Sequence, residues 1–327
     1  MTKLMTRRAA VAAGAALAAT AAAPSARAAD YPARPVRVIV PFAPAGPTDI
    51  MARILANYLG AKLNGSVIVD NRPGAGGNIG TAFVARAEPD GYTLLIDSSA
   101  FVVNPSLYKR CPYDAFADFA PISELGTSPN LFVASPASGI KTIADLVARC
   151  KADPAAVTYA NPGIGTTPQL SGELLKLKAG IAMTSVPFGG AGPAVQAVLA
   201  GTTPIACVAL PPARPLVASG SLLPLAVTGE RRWFDLPEVP TMVELGYPGF
   251  VVDTFQAFLA LAKTPPGIVA ALAKVSVEIL QDPKIAAQLH DAGLEVVAST
   301  PEAFAKRIAS EIPKWRDVIT KAGIPQV

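Results

Sequence analysis

The chain has 327 residues, of which 51% are hydrophobic and 16% are charged. This length and composition exclude a disordered chain and are typical of a packed globular protein that is large enough for two domains. The 28 basic and 24 acidic residues give a formal net charge of +4.

The N-terminal segment has the pattern of an export signal. An apolar run at residues 9–23 is too short to span a membrane, and small residues at positions 26 and 28 mark a cleavage site. The run is preceded by the basic residues Lys3, Arg7 and Arg8. We predict a signal peptide over residues 1–28, cleaved near Ala28 or Ala29, and a mature protein in the periplasm. Sec and Tat export both stay open, because the twin arginines lack the bulky apolar residue that is usual after them.

The charge of the mature chain bears on its partners. Residues 1–28 carry four basic residues and no acidic one, so their removal leaves 24 basic and 24 acidic residues. A net charge near zero without a Lys/Arg cluster argues against nucleic acid or an anionic membrane surface as a partner. We predict no membrane insertion, because no later stretch is apolar for long enough to cross a bilayer.

The cysteines do not indicate a metal or a cofactor. Cys111, Cys150 and Cys207 form no CxxC motif, and no histidine is near any of them. We predict no metal site, no cofactor and a buried Cys207, whereas a disulfide between Cys111 and Cys150 stays open.

The first structural unit has the outline of an anion site. A β-branched run at residues 36–40 predicts a buried strand that ends at Pro41, and apolar residues at helical spacing predict a helix beginning near Thr48 or Asp49, either of which is placed to cap it. The loop at residues 41–49 therefore aims free N–H groups and the positive end of a helix dipole above the sheet edge.

Two further strand and loop segments follow in the first third of the chain. The predicted elements are strand 67–69, glycine-rich loop 71–78, helix 79–87, strand 92–96 and its end at 97–100. Repeated strand, loop and helix predict a parallel α/β sheet, with the loops at 41–49, 71–78 and 97–100 along one rim.

A second α/β series begins near residue 129. Its predicted elements are strand 131–134, helix 143–150, strand 157–160, loop 161–168, helix 169–178, strand 184–188, loop 189–192, helix 193–199 and strands 205–210 and 223–228. Two of its small-residue loops open helices, as in the first unit.

The tail from about residue 253 is predicted to be scaffold, because it has no glycine-rich loop at a strand end. Its predicted elements are strand 255–261, helices 268–280 and 285–291, strand 294–297 and helix 302–320. The simplest assembly returns it to the first unit through crossovers near 129–131 and 252–255. We therefore predict one lobe from residues 30–129 and 254–327, a second from residues 130–253, and a hinge with a cleft between them.

A family resemblance runs in register over the whole mature chain. It is carried by residues 40–42 with Asp49 and Arg53, 69–77, 89–95, 112–114, 163–167, 186–188, 225–228, 236–241 and 315–324. These residues resemble the substrate-binding proteins of tripartite tricarboxylate transporters, the Bug-type receptors.

The resemblance implies a two-lobed periplasmic binding protein of the type II, Venus-flytrap class. Such a receptor captures a small organic acid and delivers it to a membrane permease, and we expect it to act as a monomer. The acid is held chiefly by backbone amides, small hydroxyls and bridging waters. The candidate ligand-binding residues are Phe42, Pro44, Ala45, Gly46, Thr48, Asp49, Asn78, Ser98, Ser99, Ala100, Asn161, Gly165, Thr166, Thr167, Gln169, Phe188 and Gly189.

Three departures from the family pattern affect the site. The first loop reads Ala45-Gly46-Pro47 where a Gly-Gly pair is usual, Gln169 stands where a histidine is frequent, and Ala209-Leu210 is apolar where relatives often have polar residues. The last departure favours a ligand with an apolar body.

The sequence also bears on functions other than transport. The only histidine, His290, lies on a tail helix, and the chain has no GxSxG, HExxH or acid pair beside a nucleophile, so we predict no enzyme. Residues 71–78 lack the ending of a phosphate-binding loop. A receptor that presents its ligand to a sensor kinase stays open. Asp49 is either a helix-start acid or a ligand contact, and Phe42 and Phe188 are either core or cleft walls.

Overall fold

The structure, a computed structural model, describes residues 31–153, 157–321 and 323–327. The predicted signal peptide and its cleavage site lie outside these residues. The strands are β1 (Val36–Val40), β2 (Val67–Asn71), β3 (Thr93–Ser98), β4 (Phe119–Ala134), β5 (Thr158–Asn161), β6 (Thr184–Pro187), β7 (Ile205–Ala209), β8 (Leu223–Val227), β9 (Asp253–Leu261) and β10 (Glu295–Val296). The helices are α1 (Pro47–Lys62), α2 (Asn78–Ala85), α3 (Ala100–Leu107), α4 (Ile143–Ala152), α5 (Thr167–Ala179), α6 (Ala191–Leu199), α7 (Leu210–Ala218), α8 (Pro266–Leu280), α9 (Pro283–Asp291) and α10 (Pro301–Lys321).

The strands form two sheets that share β4. Sheet A has the order β2-β1-β3-β9-β4-β10, and sheet B has the order β8-β4-β7-β5-β6. We call the part of the molecule built on sheet A lobe 1 and the part built on sheet B lobe 2. The architecture is therefore mixed α/β, with two sheets joined through one strand.

The prediction of parallel sheets holds for β1 to β3 and for β5 to β7 only. β1 is parallel to β2 and β3, and β5 is parallel to β6 and β7. β9 is antiparallel to both β3 and β4, and β4 is antiparallel to β7 and β8. The carboxyl ends of the parallel strands still form one rim in each lobe, and these two rims face each other.

Strand β4 passes from one sheet to the other without a break. It pairs with β9 through Pro129 and with β7 from Asn130 onward. The chain crosses a second time before β9, where the Val252 amide donates to the Thr228 carbonyl at 3.0 Å. A single 16-residue strand was not predicted. Its two prolines and its shifts in register interrupt the alternation that marks an ordinary strand.

Helix α1 begins at Pro47, ahead of the predicted start, and is capped differently. Its N-cap is Gly46, which supplies no side-chain bond, so neither Thr48 nor Asp49 caps the helix. Pro47 occupies the first helical position, where the missing N–H costs nothing because that group has no partner within the helix.

The remaining sequence predictions concern packing. Trp233 and Trp315 are buried as expected, and Cys207 is fully buried in β7. All three cysteines are free thiols, so Cys111 and Cys150 do not pair in this structure. Within residues 31–321, leaving out the few that are not described, no helix combines the length and the apolar character needed to span a bilayer.

Candidate ligand-binding site

Two helix starts, one from each lobe, meet at a small pocket between the lobes. Residues 41–46 lead from β1 into α1, and residues 162–166 lead from β5 into α5. The pocket has a volume of about 30 Å³, and its lining residues are Phe42, Gly46, Pro47, Thr48, Ser98, Pro162, Thr166, Thr167, Pro168, Ala191, Ala209 and Thr254. The N-cap and the first two residues of both helices are in this set, so two positive dipole ends converge on one uncharged pocket.

Six of the candidate residues line this pocket, and three of them carry hydroxyls of the helix starts. The six are Phe42, Gly46, Thr48, Ser98, Thr166 and Thr167. Thr48 is 2% exposed, and its hydroxyl has no hydrogen-bond partner among the described residues. The Ser98 hydroxyl accepts from the Ala100 amide at 3.1 Å, and the Thr166 hydroxyl donates to the Gly163 carbonyl at 2.7 Å. Thr48 is therefore the hydroxyl most available to a ligand.

Asp49 folds the first loop and does not line the pocket. Its carboxylate accepts from the Ala45 amide at 3.0 Å, from Arg53 Nε at 2.9 Å and from Asn71 Nδ2 at 2.9 Å. Burial acts to raise the pKa of Asp49, but these hydrogen bonds, with that from Arg53 first, outweigh it and hold the pKa below its usual value. Asn71 Nδ2 also donates to the Phe42 carbonyl at 3.0 Å, so one ionised side chain ties the loop to β2.

Asn161 and Gln169 shape the second loop from either end. The Gly163 amide donates to Asn161 Oδ1 at 3.1 Å, and the Gly165 amide donates to Gln169 Oε1 at 3.3 Å. Gly163 and Gly165 have φ values of 134° and 89°, which favour glycine. These amides already have acceptors. In the first turn of α5, Pro168 has no N–H and the Gln169 amide donates to the Thr166 hydroxyl, so the Thr167 amide is the donor of that turn left for an anion.

A second chamber adjoins the pocket and shares Phe42 and Pro162 with it. It has a volume of about 280 Å³ and is lined by Phe42, residues 74–77, Tyr108, residues 162–164, Pro187, Phe188 and Gly189. Phe42 and Phe188 are therefore cleft walls in this structure, although Phe42 also packs into the core of lobe 1. No charged residue lines either chamber.

Nine candidate residues line neither chamber: Asp49, Asn161, Gly165 and Gln169, described above, and five others. Pro44 and Ala45 are exposed on the first loop. The Ser99 hydroxyl accepts from the Phe255 amide at 2.8 Å, which ties α3 to β9, and Ala100 is fully buried. Asn78 Oδ1 accepts from Asn104 Nδ2 at 2.9 Å, and Asn78 lines a groove on the outside of lobe 1.

The sequence reasoning missed several lining residues. Pro47, Pro162 and Pro168 belong to the predicted loops but were not among the candidates, although Pro47 and Ala209 were noted as departures from the family pattern. Tyr108 and Thr254 are far from those loops in sequence. Only the predicted crossover at 252–255 pointed toward Thr254, and no sequence signal pointed to Tyr108.

At the rims, the hydrogen bonds between the lobes are made to backbone carbonyls of lobe 2. The Ala43 amide donates to the Gly189 carbonyl at 3.0 Å, and the Tyr108 hydroxyl donates to the Ile164 carbonyl at 3.2 Å. Gly76 lies so close to Ile164 that a Cβ at Gly76 would come within 1.9 Å of the Ile164 carbonyl oxygen. Because Gly76 has no side chain, the two backbones can approach this closely.

A buried polar network joins the start of α5 to both crossovers. The Thr167 and Thr254 hydroxyl oxygens lie 2.6 Å apart, and the Thr254 hydroxyl donates to Asn130 Oδ1 at 2.8 Å. Asn130 Nδ2 donates to Ser171 Oγ at 3.2 Å. Asn130 and Thr254 stand on β4 and β9 at the crossings, so the network links the first turn of α5 to the two strands that cross between the sheets.

Asp97 lies behind the pocket at the end of β3. It is 1% exposed and accepts hydrogen bonds from the Thr81 hydroxyl and the Ser98 amide, both at 2.7 Å. Burial raises the pKa of Asp97 to about 7, against the opposing effect of these two hydrogen bonds. The described residues provide no cation to pair with this carboxyl.

The fold and the pocket define a solute-binding protein of the periplasmic binding protein class. Solved structures of similar architecture support this. A Rhodopseudomonas palustris protein with adipate is 32% identical, with a TM-score of 0.88 over 91% of this chain and 100% of that chain. MatC from the same organism, with bound malate, is 30% identical, with a TM-score of 0.84 over 88% of this chain and 100% of that chain.

Sequence comparisons identify the family. The family described as "Tripartite tricarboxylate transporter family receptor" (TctC) matches residues 51–324. Protein BugT of Bordetella pertussis is 39% identical over 295 residues, which are 90% of this chain and 90% of the relative. The chain therefore belongs to the TctC family of solute receptors, as the sequence motifs predicted, and this is a family of binding proteins and not of enzymes.

Proposed function

We propose that this chain captures a small organic acid between its lobes and delivers it to the membrane permease of a tripartite tricarboxylate transporter. The observation that carries the proposal is the convergence of two helix N-termini from opposite lobes on one uncharged pocket. First-turn amides and the Thr48 hydroxyl supply donors to a carboxylate, and two dipole ends favour its negative charge.

The size and lining of the two chambers support an acid with an apolar body. A pocket of about 30 Å³ holds little more than one water molecule, so it is sized for the carboxylate end of an acid and not for the body of the acid. The adjoining chamber of about 280 Å³ has aromatic walls from Phe42, Tyr108 and Phe188. Relatives whose structures contain adipate and malate bind acids of this size class.

The mechanism is a shift in population between lobe arrangements. An acid that bridges the loops of both lobes stabilises the arrangement in which the rims touch, and the permease recognises that arrangement. The hinge consists of the two crossovers, and the lobe boundaries that we propose are residues 129–130 and 253–254. Release to the permease then requires the rims to separate.

The cellular setting follows from the same proposal. Residues 1–28 direct export and are removed near Ala28 or Ala29, and the mature receptor works as a monomer in the periplasm. The family description names a transporter receptor, which supports delivery to a permease over presentation to a sensor kinase.

A thermal-shift screen of the mature, refolded and dialysed protein tests the proposal. The panel contains mono-, di- and tricarboxylates, aromatic acids, amino acids and sugars. An acid at about a hundred times its dissociation constant adds roughly 2.7 kcal/mol to the free energy of unfolding, which gives a clear shift in melting temperature. A response confined to sugars, or to no compound, would contradict the proposal.

A further inference from the structure

A groove lies on the outside of lobe 1. It shares only Ala75 and Tyr108 with the larger ligand chamber. It has a volume of about 590 Å³ and is lined by Ala75, Asn78, Ile79, Ala82, Phe83, Arg86, Ala87, Tyr108, Arg110 and Pro112. Its floor is one face of α2, and its wall is the segment that follows α3. Ile79 on this face is 56% exposed, which is unusual for so large an apolar side chain.

Two arginines flank this apolar floor without partners. Arg86 and Arg110 are exposed, and neither side chain has an ion pair or hydrogen bond to any residue that the structure describes. The nearby Arg72 differs, because it pairs with Asp70 and lies over the Phe83 ring at 3.7 Å. The groove thus combines exposed apolar surface with two unneutralised positive charges.

The inner end of the groove is in contact with the opposite lobe. Ala75 and Tyr108 line both the groove and the larger ligand chamber. The Tyr108 hydroxyl donates to the Ile164 carbonyl of lobe 2, and the adjacent Gly76 packs against the same carbonyl. Separation of the lobes would break the hydrogen bond that holds Tyr108, so the position of this lining side chain depends on whether the rims touch.

We infer that this groove is the surface on which the receptor docks to its permease, and that the occupant is a permease segment carrying apolar side chains beside acidic ones. Apolar side chains of that segment cover Ile79 and the α2 face, and its carboxylates pair with Arg86 and Arg110. Because the Ile164 carbonyl of lobe 2 holds Tyr108 at one end, the permease discriminates between the two lobe arrangements at this position. The inference rests on the proposed function, since it names the surface used for delivery.

The test measures association of the full mature protein with proteoliposomes that contain the tripartite tricarboxylate permeases of its own organism. The assay includes the acid selected by the thermal-shift screen, and permease-free liposomes provide the background. The variants are Ile79→Glu and the double variant Arg86→Glu with Arg110→Glu. Their controls are Ile68→Glu, since Ile68 is 50% exposed on β2, and Arg316→Glu on α10, whose side chain has no partner among the described residues.

We expect both groove variants to weaken association at least about tenfold, because like charges that face each other cost more than a lost attraction. Both controls should associate like the wild type, and all four variants should bind the acid as the wild type does. Equal association of wild type and groove variants would overturn the inference alone. Failure of the wild-type protein to associate would overturn both the inference and the delivery step of the proposed function.

The same variants also test whether a second copy of this chain, and not the permease, occupies the groove. Sedimentation velocity of the same variants provides the measurement. A wild-type dimer that the groove variants dissociate, together with unchanged permease association, would assign the groove to self-association and would overturn the inference.

Discussion

Thr48 shows how a polar residue at a helix start is assigned to ligand contact or to packing. Its hydroxyl lines the pocket and has no partner in the described chain, whereas the neighbouring Asp49 carboxylate is fully used by Ala45, Arg53 and Asn71. The sequence placed both residues at the rim, and it could not separate their roles. The separation depends on Asn71, which is 22 positions away from Asp49.

Thr48→Val should weaken acid binding about 10- to 150-fold, because valine keeps the shape and removes one hydrogen bond to an ionised carboxylate, which contributes about 1.5–3 kcal/mol. The melting temperature without acid should change little, since no intramolecular bond is lost. Isothermal titration calorimetry provides the affinity. Thr203→Val is the matched control, because the Thr203 hydroxyl is also buried without a partner but lies away from the pocket. Equal affinity of Thr48→Val and wild type would remove this hydroxyl from the site.

Asp97 gives a pH-dependent prediction. Its folded pKa of about 7 lies above the unfolded value of about 3.9, so between these values the folded protein keeps a proton that the unfolded chain has lost. The stability contributed by this group is therefore present below pH 4 and is lost as the pH rises toward 7.

Asp97→Asn should abolish this dependence. The unfolding free energy of the variant relative to wild type should rise between pH 4 and 7, by at most roughly 1.4 kcal/mol per pH unit. Urea unfolding at four pH values in this range measures the difference. Glu124, whose pKa burial also raises to about 7, cancels in the comparison because both proteins contain it. Parallel stability curves for the two proteins would contradict the assignment.

At the scale of elements, strands followed by loops and amphipathic helices were predicted well, and two helices were missed. Helix α3 is buried on all sides, so Phe101, Val102 and Val103 follow one another without helical periodicity. Helix α7 contains three prolines, which normally mark a break. Pro211 and Pro212 stand in its first turn, where no intrahelical donor is needed, so the helix tolerates them.

Gly76 tests whether contact between the rims is needed for tight binding. Gly76→Ala should reduce acid affinity more than about tenfold, because the new Cβ would come within 1.9 Å of the Ile164 carbonyl and prevent the rims from touching. Gly139→Ala is the matched control. Gly139 has a φ of 75°, close to the 60° of Gly76, but a Cβ there meets nothing within 4 Å.

Alanine at either glycine imposes a similar backbone cost of about 1–2 kcal/mol. A comparable loss of melting temperature in both variants is therefore expected, with loss of affinity only in Gly76→Ala. Calorimetric titration of both variants with the same acid makes the comparison. Wild-type affinity in Gly76→Ala would show that the rims need not touch for binding.

At the scale of the whole molecule, the sequence predicted two α/β units and a returning tail, and it missed how the sheets are joined. β4 and β9 form the antiparallel centre of sheet A, and β4 continues into sheet B. Antiparallel pairing between segments more than 120 residues apart leaves no local pattern, so predicted loops and helices implied parallel sheets only. The position of the rims could still be predicted, because it depends on β1, β3 and β5 and on the loops that follow them.

The proposed function requires one central claim, that an acid is held at the same time by the helix starts of both lobes. Amide hydrogen–deuterium exchange of the mature protein, with and without the acid that gives the largest thermal shift, tests this claim most directly. We predict slower exchange in residues 41–49 and in residues 162–169 together when the acid is present. Slower exchange confined to one lobe, or in neither of these segments, would contradict the claim.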